Sequence, residues 1–242
     1  MHDARERLIF ALDVDSLDAA RKWVAQLHKQ VGLFKVGKQL FTRCGPEVVQ
    51  MIQSGGAEVF LDLKYHDIPN TVAMAGLEAC RLGVRMFNVH ALGGFDMMAR
   101  LVAEVDKAYP RGNPGRPILL AVTILTSSTR ETLQGVGIDR TVEVMVPKLA
   151  KLAQQAGIDG VVASPQEVGL IRAACGDDFL IVTPGVRPHF AAKNDQQRVT
   201  TPGEAIRSGA DYLVIGRPIS AAKDPAEAAG LILEEMQAAL AD

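Results

Sequence analysis

Short apolar runs rich in Val, Ile, Leu and Phe recur eight times along the 242 residues, and each is followed by a stretch with helical spacing. That alternation predicts parallel strands joined by helical crossovers. The runs are residues 7–13 (RLIFALD), 33–37 (LFKVG), 58–64 (EVFLDLK), 85–90 (RMFNVH), 117–125 (PILLAVTIL), 160–164 (GVVAS), 179–184 (FLIVTP) and 211–216 (DYLVIG). Each is short and largely apolar, as strands covered on both faces must be. Eight βα units in a chain of this length, without a long linker or charge block, fit one (β/α)8 TIM barrel domain over residues 1–242. An open doubly wound sheet fits less well. It would want G-x-G-x-x-G after the first strand, where this chain has VDSLDAA after Asp13.

Helix signals fall between the runs. Ser16 can cap a helix through Trp23 and Leu27. Pro69 and Asn70 precede a helical pattern over Val72 to Leu82, which Gly83 stops. Residues 141–156 carry Met145, Leu149, Leu152 and Ala156 at helical spacing, with Pro147 inside, so Pro147 should kink that helix or mark its true first turn. Gly32, Gly56, Gly83, Gly157 and Gly209 each stand just before a strand, a helix C-cap pattern and not a phosphate loop. Residues 110–116, 126–140 and 187–200 are the extended irregular segments. In a barrel, ligand contacts gather on loops after strand ends, which singles out the last two.

Charge narrows the partners. Lys plus Arg is 26 against 28 for Asp plus Glu, a formal net charge of −2, with no basic excess of the kind that draws nucleic acid. Any anion site must be local. Cys44, Cys80 and Cys175 are odd in number and far apart with no C-x-x-C, which fits small buried hydrophobes in a reducing compartment and argues against structural zinc. The amino terminus, MHDARER, lacks the apolar core of a secretory signal, and no apolar run approaches the roughly 18 residues of a membrane span. A cytoplasmic protein without membrane contact is expected.

Charges sit where a barrel should be apolar. Strand side chains alternate, so Asp62 and Lys64 in FLDLK point one way and Leu61 and Leu63 the other. The leucines suit the helix layer, which leaves the charges on the barrel axis. Lys35 in LFKVG and Asp13 ending IFALD repeat the feature, so four charges of alternating sign are expected at one mouth. Burying ions costs several kcal/mol each and pairing recovers this only with good geometry, so such an array points to function over a structural ion-pair network. Asp67, just before Pro69, falls in the following loop, where alone it reads as a solvated acid or a cap. A second constellation lies near the end of the chain: Arg187 after TPGV, Gln196 in the long loop, and Gly216 and Arg217 in VIGRPI. Loops after the seventh and eighth strands of a barrel commonly bind phosphate through backbone N–H groups and an arginine.

At DLKYHDIPNT, residues 62–71, the chain resembles the orotidine 5′-monophosphate decarboxylases of bacterial type. The resemblance extends over essentially the whole chain, through Asp13, FKVG, NVHA at 88–91, LTS at 125–127, PGVRP at 184–188, DQQR at 195–198, TPGEAI and VIGRPI. It implies loss of CO2 from orotidine 5′-monophosphate to give UMP, the last step of pyrimidine nucleotide synthesis, with no metal or organic cofactor. Lys64 is then the proton donor to C6, and Lys35, Asp62 and Asp67 complete the charge array. The resemblance further implies a homodimer, with Asp67 and Thr71 entering the neighbouring subunit's site. Asp13 and Lys35 would meet the ribose, Thr126 the pyrimidine, and Arg187, Gln196, Gly216 and Arg217 the phosphate. The nearest alternative is a Mg²⁺-dependent sugar-phosphate decarboxylase or synthase on the same barrel, which shares D-x-K-x-x-D but not the continuation into IPNT. A barrel that only binds a nucleotide would keep the phosphate loops without needing Lys64 and its acids. His66 reads as a loop or interface residue and His90 as a satisfied barrel histidine.

Overall fold

All eight expected strands form. In the computed structural model, which describes residues 3–191 and 200–241, they are β1 (Leu8–Ala11), β2 (Leu33–Gly37), β3 (Glu58–Tyr65), β4 (Met86–His90), β5 (Ile118–Val122), β6 (Gly160–Val162), β7 (Leu180–Pro184) and β8 (Tyr212–Ile215). They close a barrel in chain order, the topology of a (β/α)8 TIM barrel. By contacts the chain falls into two compact units, one of residues 1–63 and 183–242, the other of residues 64–182.

In the first unit the pairing is parallel, with Phe10 opposite Phe34 and Ala11 opposite Lys35. Phe10 packs on Trp23 of the helix Leu17–Leu27 at 5.3 Å between ring centroids, and on Phe34 at 6.1 Å edge to face. The Phe10 and Phe34 face is therefore the helix side. By strand alternation Ala11 and Lys35 face the opposite way, into the barrel. Gly37, two residues on, pairs with Asp62 and shares that inner face. Phe10, Phe34 and Phe60 are fully buried, each contributing about 1.5–3 kcal/mol. Ser16 caps the helix as its spacing predicts, its hydroxyl accepting from the Ala19 N–H at 3.3 Å.

The second unit is anchored on β4, β5 and β6, with Asn88 opposite Leu120 and Leu120 opposite Gly160. The helix Gly94–Ala108 buries Met97, Met98, Leu101, Val102 and Val105. At the foot of β5 the Arg116 guanidinium bridges Asp106 and Asp159 at 2.8 Å each, and Asp159 also accepts from the Leu119 N–H.

Several expectations are corrected. The helix Pro69–Arg81 begins three residues earlier than its apolar pattern, because Pro69 occupies the first helical position, where its missing N–H costs nothing. Pro147 lies inside the continuous helix Val142–Gln155, so it does not mark the first turn. Gly56, Gly83, Gly157 and Gly209 take positive φ, as left-handed helix terminators do, but Gly32 does not. Gly32 is required by space: a Cβ there would lie 2.6 Å from the Arg5 carbonyl oxygen. Two short helices, Ala4–Arg7 and Arg130–Gly135, lie in stretches without helical pattern. Of the three cysteines only Cys80 is buried; Cys44 and Cys175 are half-buried.

Candidate active site

The first unit gathers three of the four strand charges. The Lys35 ammonium lies 3.3 Å from Asp13 Oδ1 and 3.4 Å from Asp62 Oδ2. Lys35 and Asp62 are largely enclosed, with side chains 13% and 11% exposed, whereas Asp13 is 73% exposed. Asp13 lies two residues beyond β1 and so does not end the strand. Gly37 leaves room for this arrangement, since a Cβ there would stand 3.3 Å from Lys35 Nζ.

Above these charges opens a cavity of about 770 Å³. Asp13 and Lys35 line one side, and Arg187, Phe190, Gly216 and Arg217 line others. Arg187 follows β7, its backbone N–H donating to the Thr200 carbonyl at 3.0 Å. Gly216 precedes the short helix Arg217–Ser220, whose first residue is Arg217. A Cβ on Gly216 would stand 3.3 Å from the Ala11 Cβ, a tight contact with β1 that favours glycine there. Arginines at the ends of two strands beside one cavity suit an oxyanion such as phosphate, which the planar guanidinium can bind through two parallel hydrogen bonds. Gln196 lies outside the described residues. Phe190 carried no signal in the sequence beyond its place in the long loop.

Lys64 belongs to the second unit. It is the one non-glycine residue with positive φ among those described, at +53°. Strand alternation presumes extended backbone, so it fixes the direction of Asp62 but not of Lys64. The Lys64 N–H donates to Asn88 Oδ1 at 2.8 Å, and Asn88 is completely buried on β4. The detectable signal for Asn88 was an amide inside the apolar run MFNVH. Tyr65 packs edge to face on Phe87 at 6.1 Å, and burial raises its phenol above the ordinary value. Asp67 is exposed in the loop after β3, its Oδ1 accepting from the Ile68 N–H at 2.6 Å. Thr71 is exposed in the first turn of the helix Pro69–Arg81, and Thr126 is exposed after β5. His66 is exposed and His90 half-buried, and their rings meet at 5.6 Å. Among the described residues no group of three or more His, Cys, Asp and Glu side chains forms a metal site. No helix among them is long and apolar enough to cross a membrane.

The family model described as "Orotidine 5'-phosphate decarboxylase / HUMPS family" matches residues 6–232. The orotidine 5′-phosphate decarboxylase of Syntrophotalea carbinolica is 67% identical over 238 residues, covering 98% of each chain. That of Geobacter sulfurreducens is 66% identical, covering 97% of this chain and 98% of the relative. Among solved structures, the orotidine 5′-phosphate decarboxylase of Lactobacillus acidophilus superposes with a TM-score of 0.83 at 38% identity, covering 95% of this chain and 98% of the other. A match running through both units, from before β1 to the helix after β8, leaves no part of the barrel to another origin, and the chain belongs to the orotidine 5′-phosphate decarboxylase / HUMPS family.

Proposed function

We propose that this chain removes CO2 from orotidine 5′-monophosphate to give UMP, the last step of de novo pyrimidine nucleotide synthesis, without metal or organic cofactor. The observation that carries the reading is the full-length similarity, at 67% and 66% identity in two relatives, to proteins named orotidine 5′-phosphate decarboxylase. The family description also covers a second group, and the alternative reading is a Mg²⁺-dependent sugar-phosphate decarboxylase or synthase on the same barrel. The chain's own residues favour the nucleotide: Lys35, held between two acids, borders a cavity that also carries two arginines.

The phosphate enters the cavity of the first unit, against Arg187, Arg217 and the backbone at Gly216, with Gln196 as a further contact. Asp13 and Lys35 take the ribose hydroxyls, and Thr126 the pyrimidine. Loss of CO2 leaves an electron pair on C6 with poor resonance support. An ammonium fixed nearby stabilises that developing charge and then quenches it by protonation, and Lys64 supplies both effects. Asp62, Asp67 and Lys35 complete the array of alternating charge. Binding energy at the remote phosphate can be used to hold the reacting end in place.

Asp67 and Thr71 serve the site of a second subunit in a homodimer. Ile68, Met74, Leu92 and Phe95, 67%, 41%, 44% and 44% exposed, support this reading. They lie on the loops and helices after β3 and β4, and His66 just beyond β3 meets His90 at the end of β4; exposed apolar side chains so grouped suit a surface covered by another chain. Three free thiols fit the cytoplasm.

The test mixes purified, EDTA-treated protein with orotidine 5′-monophosphate and follows the fall in ultraviolet absorbance. Turnover supports substrate, reaction and metal independence together. Absence of turnover with UMP still bound would assign the site to a related phosphosugar.

A further inference from the structure

We infer that Asn88 is a positioning residue that sets where the Lys64 ammonium stands, acting through the lysine's backbone and never touching substrate. The inference rests on Lys64 being the proton donor. Left-handed backbone is unfavourable for an L-residue and persists only where its surroundings over-determine it. Lys64 holds φ +53° at the end of a buried strand, and its N–H is bound at 2.8 Å by the Asn88 side-chain oxygen. A fully buried amide is tolerated only when its hydrogen bonds are made.

The anchor is rigid. Asn88 sits mid-strand on β4, registered against Leu120 of β5, which is registered in turn against Gly160 of β6. Its neighbour Phe87 holds the next residue along, Tyr65, ring against ring. Adjacent residues of β4 thus grip adjacent residues of β3 where the chain leaves the extended conformation. Without the Asn88 acceptor, residue 64 can relax toward the pleat, which swings its Cα–Cβ bond and moves the ammonium from its place. Misplacing a reacting group by about 1 Å costs on the order of 100-fold in rate.

The test compares kcat for orotidine 5′-monophosphate with UMP affinity in Asn88→Leu, which removes the acceptor, and Asn88→Asp, which keeps it. The expected result is a kcat about 100-fold lower in Asn88→Leu with UMP affinity within about threefold of wild type, and recovery to within about tenfold in Asn88→Asp. A kcat for Asn88→Leu within about threefold of wild type overturns the inference, as does a parallel loss of kcat and UMP affinity, or an Asn88→Asp no faster than Asn88→Leu. Should Asn88→Leu fail to fold, Asn88→Ser, too short to reach the Lys64 N–H, carries the same comparison. Lys64→Ala separates the two failures: if it turns over like wild type the role of Lys64 falls, and if it is inactive while Asn88→Leu is not, only the role of Asn88 falls.

Discussion

Lys35 shares its charge unequally between two acids at nearly equal distance. Its bond to Asp13, which is mostly exposed, is worth at most about 1 kcal/mol. Its bond to Asp62 is enclosed on both sides, and removing one partner from such a pair leaves the other's desolvation uncompensated. Lys35→Met should therefore lower folding stability by about 3 kcal/mol, read from denaturant unfolding, whereas Asp13→Asn should change it little. Equal and small losses would mean that the Lys35 and Asp62 bond is not formed in solution. These two residues were legible in the sequence because a charge inside an apolar strand has to be explained. The conformation of Lys64 was not, because nothing in FLDLKYH marks a left-handed residue where glycine or asparagine would be the ordinary signal.

At the scale of elements, the loop after β6 carries a buried acid used as a cap. Glu167 accepts from the Ser164 N–H at 2.9 Å, and burial raises its carboxyl above the usual range. A folded pKa above the unfolded one means that the folded state holds the proton to higher pH. Glu167 therefore lowers stability at neutral pH, and that loss is relieved as pH falls through its folded pKa toward the unfolded value. Glu167→Gln keeps an oxygen for the cap without the charge. It should unfold at higher temperature than wild type at about pH 8, with the difference vanishing near pH 4. A difference independent of pH would place the effect in packing instead. The strands were readable because runs buried on both faces are short, apolar and bounded by turns. The helices Ala4–Arg7 and Arg130–Gly135 were not, since fewer than two turns carry no periodicity. Pro147 misled because a proline penalises an isolated helix, whereas Val146, Leu149, Ala150 and Ala153 bury one face of this helix on both sides of it.

For the molecule as a whole, the homodimer reading makes a prediction that no single chain could meet. If Asp67 serves the partner's site, a heterodimer of Lys64→Ala and Asp67→Ala chains contains one site with both residues intact. Refolding an equal mixture of the two inactive variants should restore about a quarter of wild-type activity, the share expected from random pairing into two-fold dimers. A mixture as inactive as its parts would place Lys64 and Asp67 in the same subunit's site. Exposed Ile68, Met74, Leu92 and Phe95 could not be picked out from sequence, because pattern predicts which side chains a helix or strand buries, not which apolar side chains the chain leaves exposed. The role of Lys64 is tested first in the Lys64→Ala variant, assayed for turnover of orotidine 5′-monophosphate and for UMP binding in the same preparation. With Lys64 as the proton donor, kcat falls by several orders of magnitude while UMP affinity is retained. A residual rate within about tenfold of wild type, roughly 1.4 kcal/mol in the barrier, would contradict that role.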